Sequence, residues 1–69
     1  MYTDEQFVAD VLDFASWACL LDAGGYIPLP TTDVLAFVAS LPVGCVVLVF
    51  EEFDEVQFSK TEQGWVFSY

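Results

Sequence analysis

Residues 51–55, Glu-Glu-Phe-Asp-Glu, place four carboxylates around one phenylalanine, directly after the apolar run from Val46 to Phe50. Carboxylates at this density have three chemistries open to them. They can bind hard cations such as calcium or magnesium, act as an acid/base pair of the glycosidase type, or present negative charge to a partner. The first lacks its loop, because there is neither a spaced Asp-x-Asp start nor a glycine at the turn position. The second needs a sugar pocket, which 69 residues can hardly build. The chain has no histidine, and Lys60 is its sole basic side chain. That removes Ser-His and Cys-His catalysis, His-ligated zinc and any arginine clamp on a phosphate. The segment "DAGGYIP" leads into an extended stretch rather than the strand-to-helix turn of a phosphate loop. The expectation is a protein without enzymatic activity, cofactor or metal.

Charge presentation is the chemistry left. Residues two apart on a strand lie about 6.6 Å from each other on one face, and residues three or four apart on a helix about 5–6 Å. Successive phosphates along one DNA strand have a comparable separation. Glu51, Glu52, Asp54 and Glu55, with Asp10 and Asp13 on an expected first helix and Glu62 at a later hairpin, can therefore imitate a short length of nucleic-acid backbone. The competing reading is a solvated face that guards a strand end against aggregation. Guarding usually mixes both signs, whereas here one lysine faces eleven acidic residues. Phe53 is either a staple turned into the core or the apolar centre of an acidic patch. Trp17 has the same two readings, a cover on the edge of the core or an exposed anchor.

The composition sets the frame for these residues. A chain of this size buries only about 60% of the surface its unfolded form exposes, so it forms one domain with a small core. Its 57% apolar content separates it from a disordered acidic tail. The net charge of −10 exceeds the magnitude of about 2–8 that solubility needs. It also opposes direct binding to nucleic acid and to anionic membranes, both of which demand lysine or arginine. Cys19 and Cys45 sit in apolar stretches and read as small buried hydrophobes of a reducing compartment. The acidic start "MYTDEQF" is unlike a signal peptide, and a cytoplasmic location is expected. Residues 34–50 carry no charge, but Pro42 and Gly44 interrupt them, which favours a short helix and a buried strand over a membrane span.

The elements that position the carboxylates follow from periodicity. Thr3 is the expected N-cap of a first helix, with Asp4 and Glu5 in its favourable first turn. Phe7, Val11, Phe14, Ala18 and Leu21 give that helix an apolar face over about five turns, ending near Gly24 and Gly25. Gln6, Asp10, Asp13 and Trp17 form the opposite stripe. Residues 24–31, with prolines at 28 and 30, are expected to be an extended connection. Thr31 or Thr32 caps a second helix, "DVLAFVASL", which Pro42 ends. From Cys45 to Phe50 the β-branched run reads as a central strand. Val56, Phe58 and Lys60 alternate with polar residues, and Trp65, Phe67 and Tyr69 alternate with Val66 and Ser68, across a "KTEQGW" turn. The expected architecture is α+β: two N-terminal helices packed on one face of a three-stranded antiparallel sheet, in the order α-α-β-β-β.

In size and acidity the whole chain resembles the small anti-CRISPR and anti-restriction inhibitors encoded by phages and mobile elements, several of which act as DNA mimics. The resemblance implies an inhibitor that occupies the basic nucleic-acid channel of a host defence protein, with a CRISPR effector complex as the expected target. Asp10, Asp13, Glu51, Glu52, Asp54, Glu55 and Glu62 would then take the place of phosphates, with Phe53 or Trp17 as anchor. The alternative is a small acidic interaction module, such as an immunity protein, adaptor or assembly factor, that binds a basic partner without displacing DNA. A monomer is expected, with a homodimer through an exposed aromatic stripe of Trp65, Phe67 and Tyr69 as the other arrangement.

Overall fold

The computed structural model describes residues 1–68. A first helix, α1, is α-helical over Asp4–Gln6 and continues as a π-helix over Phe7–Leu12. Strands β1 (Trp17–Asp22) and β2 (Gly25–Pro28) follow as a hairpin. Helix α2 (Val34–Ser40) leads to β3 (Val46–Phe50), β4 (Glu55–Thr61) and β5 (Gly64–Ser68). All pairings are antiparallel, and the sheet order is β2-β1-β3-β4-β5.

This architecture corrects the expected one. The sheet has five strands rather than three, and α2 comes after the first hairpin, so the order is α-β-β-α-β-β-β. The first helix stops after three turns or fewer, and the stretch expected to be its second half is β1. "WACLLD" fits both periods: Ala18 and Leu20 lie on one side while Trp17, Cys19 and Leu21 lie on the other. The pairing decides between them. Ser16 donates both its backbone N–H and its Oγ–H to the Phe50 carbonyl, at 2.8 and 2.7 Å, and this starts the β1–β3 ladder. The "extended connection" at 24–31 supplies β2, with Asp22 paired to Gly25 across a two-residue turn. The last three strands form the expected meander, and β3 is central.

At its start, α1 has a capping box, in which Thr3 Oγ1 accepts from the Gln6 N–H and Gln6 Oε1 accepts from the Thr3 N–H. The cap of α2 is Asp33, at φ 53°, rather than either threonine, and it makes no side-chain capping bond. Leu41 turns extended before Pro42 and ends α2.

Both helices pack on one face of the sheet. Phe7, Val11 and Val38 meet Val47, Val49, Phe58 and Trp65 in the core. Phe7 stacks on Trp65 with ring centroids 4.4 Å apart, and Phe58 meets Phe7, Tyr2 and Phe67 edge-on. Trp65 is therefore fully buried, which removes it from the expected exposed stripe. Phe67 is 46% exposed, and Tyr69 lies outside the described residues.

Lys60 ties the two helices to the sheet. Its Nζ donates to the Val38 and Ala39 carbonyls at the end of α2, at 3.0 and 3.2 Å, and lies 3.5 Å from Asp4 Oδ1. The same Asp4 oxygen accepts the Trp65 indole N–H at 2.8 Å. The chain's one basic side chain thus serves the fold, capping helical carbonyls that have no partner within the helix.

The N-terminal segment joins the sheet through Tyr2, which exchanges two backbone hydrogen bonds with Trp65 at 2.9 and 2.6 Å. Beside this bridge Gly64 has φ 136°, and a Cβ there would collide with the Tyr2 carbonyl oxygen. Gly64→Ala is accordingly expected to destabilise the domain by about 2 kcal/mol or more, through strain plus loss of the bridge. Urea unfolding checks this; an unchanged midpoint would mean that the Tyr2 bridge contributes nothing.

Candidate functional site

The site is the end of the sheet where β3 turns into β4. The Glu51 N–H donates to the Asp54 carbonyl at 2.8 Å and closes the turn. All of Glu51, Glu52, Phe53, Asp54 and Glu55 are exposed, and Phe53 is 90% exposed at the tip. Of the two readings of Phe53, the structure supports the outward one. The Ser16 bonds to Phe50 bring the chain that follows α1 to the foot of this turn, three residues after Asp13 and two after Phe14. Trp17 is 48% exposed and lies 5.2 Å from the Phe50 ring, tilted by 33°. It belongs to β1 and not to a helical stripe with Gln6, Asp10 and Asp13. Trp17, Phe50 and Glu55 form one row across β1, β3 and β4.

The structure thus keeps Glu51, Glu52, Phe53, Asp54 and Glu55 with Trp17 at one end of the sheet, and sets Asp13 in the wall of a groove between α1 and β1. It leaves two expected members apart. Asp10 is exposed on the π-helix, before the turn that carries Asp13. Glu62 sits in the β4–β5 turn, beyond the opposite end of seven-residue β4, about 20 Å from the β3–β4 turn at 3.3 Å per residue. One exposed aromatic was missed: Phe14, expected on the core face of a long helix, is 79% exposed. No local signal marks it, because its exposure follows from where the helix breaks.

The electrostatics are one-sided. Asp4–Lys60 is the one ion pair between side chains of the described residues, and it lies on the helix-covered side. The four carboxylates of the β3–β4 turn have no cationic side chain among them. Their mutual repulsion is screened over about 8 Å at physiological ionic strength. They do not converge on a point, and no group of three or more His, Cys, Asp or Glu that could hold a metal ion occurs among the described residues.

Between α1, β1 and the 29–34 connection runs a groove of about 330 Å³, with Leu12, Ala18, Leu29 and Val34 as apolar walls and Asp13 and Trp17 among its lining. Both cysteines are free and lie on opposite faces of the sheet. Burial pushes the Cys19 thiol above the ordinary 9.0, and the nearby Glu55 charge adds to the shift. Burial also raises Cys45, against an opposing pull from Lys60. Neither thiol is prepared as a nucleophile, since catalytic cysteines need a lowered pKa.

No family model matches the chain, and no similar curated protein or solved structure was found. Among the described residues no helix is long and apolar enough to cross a membrane, and residues 34–50 divide into α2, a turn and β3.

Proposed function

We propose that this chain is a non-enzymatic inhibitor that presents its acidic end to the basic nucleic-acid channel of a cytoplasmic host defence protein, with a CRISPR effector complex as the target class. The observation that supports the reading is the asymmetry of charge. Glu51, Glu52, Asp54 and Glu55 crowd one end of the sheet, while the only lysine is tied to Asp4 and the carbonyls of α2. Such an end steers itself toward lysine and arginine and takes the places phosphates would hold. Phe53, 90% exposed at the tip, adds short-range contact once the charges have met.

The exposed aromatic residues also favour a second reading, an interaction module that grips a basic partner without competing with DNA, because imitating phosphates requires no apolar tip. One experiment separates the two. The immobilised protein captures its target from a bacterial lysate, and the complex is washed first with excess duplex DNA and then with high salt. Release of a nucleic-acid-binding complex by DNA is the expected result. Retention through the DNA wash with release by salt alone would replace the inhibitor reading with the interaction module.

A further inference from the structure

The sheet has a second face, and no element of the described chain lies over it. The antiparallel registers place Trp17, Cys19 and Leu21 of β1 on this face, with Leu48 and Phe50 of β3 and Tyr26 of β2 beside them. None of these six belongs to the core that the helices cover. Cys19 is nevertheless fully buried and Leu48 is 7% exposed, because the larger side chains around them close over them. Those larger side chains remain open to solvent: Trp17 is 48%, Leu21 42% and Tyr26 63% exposed. The β4 side of the face carries Gln57 and Ser59, and Glu55 at one corner.

Charge is kept off this surface. Of the eleven acidic residues, Glu55 alone projects from it by register, while the others lie on the helices, in the turns or at a strand end. A face built to receive a foreign basic partner would carry carboxylates, as the acidic end does, and this one has Glu55 alone at its corner. A surface emptied of charge in a chain of net charge −10 suits a second copy, since only such a surface lets two copies meet without opposing like charges. Trp17, Leu21 and Tyr26 expose about 300 Å² between them, and exposed Pro28 with half-buried Val46, Phe50 and Val66 extends the patch. Two such faces bury about 600 Å² through the three large side chains alone, and the extension carries them toward the lower bound of about 1,200 Å² for a stable interface. A domain of this size also has reason to associate, because a core this small usually needs a supplement such as oligomerisation.

We propose that two copies pack these faces together about a two-fold axis, sheet on sheet at about 10 Å, as a homodimer that takes Trp17 and Glu55 into or beside the interface and leaves Glu51, Glu52, Phe53 and Asp54 of each copy free. On this proposal the contact uses the open face rather than the last strand. Because the apolar faces attract while the rest of the surfaces repel, association strengthens with salt, opposite to any binding between this chain and a basic partner.

Sedimentation equilibrium of the purified protein tests this at about 0.05 M and about 0.5 M NaCl. The expected result is a monomer–dimer equilibrium whose dissociation constant falls several-fold at the higher salt. The exposed pair of substitutions Leu21→Asp and Tyr26→Asp, with the fold verified by circular dichroism, should weaken it about 100-fold by placing unpaired charge in the interface. A wild-type chain that stays at 7.7 kDa at sub-millimolar concentration and high salt overturns the proposal. So does a dimer that the double variant leaves intact, which would place the interface elsewhere. Neither outcome bears on Glu51, Glu52, Phe53 and Asp54, whose test is displacement by DNA.

Discussion

Replacing Trp65 by alanine is expected to leave the chain without a stable fold. The side chain is fully buried, stacks on Phe7 at 4.4 Å with an interplanar angle of 11°, and donates its indole N–H to Asp4 at 2.8 Å. Truncating a buried aromatic of this size costs about 3–5 kcal/mol. A domain of this length holds roughly 3–10 kcal/mol in total, at about 0.05–0.15 kcal/mol per residue. The loss also opens the joint where α1, α2 and β5 meet through Asp4 and Lys60. Far-UV circular dichroism and urea titration give the readout. Trp65→Phe keeps the stack but removes the donor to Asp4, and a smaller loss of about 1–3 kcal/mol is expected. If Trp65→Ala unfolded at the wild-type midpoint, the Phe7–Trp65 stack would not be the centre of the core.

Reversing both Glu51 and Glu52 to lysine is expected to weaken target binding at least about 100-fold. Close charge pairs at interfaces couple by about 1.5–7 kcal/mol, and about 3 kcal/mol over the two positions reaches that factor. The fold should tolerate the change, because both residues are exposed and the bond that closes the turn runs from the Glu51 backbone N–H to the Asp54 carbonyl. Glu62→Lys is the control for charge alone. It alters the net charge as much as Glu51→Lys does, but at the opposite end of β4, and a change of a few-fold is expected. Affinity for the captured target, measured by calorimetry at constant salt, decides the matter. Equal losses for Glu51→Lys and Glu62→Lys would show that net charge is at work rather than a defined surface.

Several parts of the fold could be read before any contact was known. Thr3 as a cap, the short helix before Pro42, the central strand 46–50 and the alternation of Val56, Phe58 and Lys60 rest on local rules, and the structure places those elements there. Residues 17–28 could not be read in the same way. "WACLLD" is apolar enough to satisfy a helix face and alternates well enough to make a strand, and a period alone does not choose when nearly every position is hydrophobic. The choice came from Phe50, whose carbonyl takes two hydrogen bonds from Ser16 and draws β1 onto β3 across 34 residues of sequence.

The candidate site divides along the same line. Composition by itself determined that this chain can attract cations and cannot run histidine or arginine chemistry, because those properties belong to the side chains present wherever they are placed. The four carboxylates of 51–55 were bound to stay together, being neighbours in sequence. Only the tertiary structure decided that Trp17 lies at the same end of the sheet, that Phe14 is left exposed, that Glu62 falls at the opposite end of β4, and that Lys60 is unavailable to neutralise them. It alone also decided that one sheet face is covered and the other open. Such facts depend on which strand lies beside which, and a single register of pairing assigns every side chain along a strand to one face or the other.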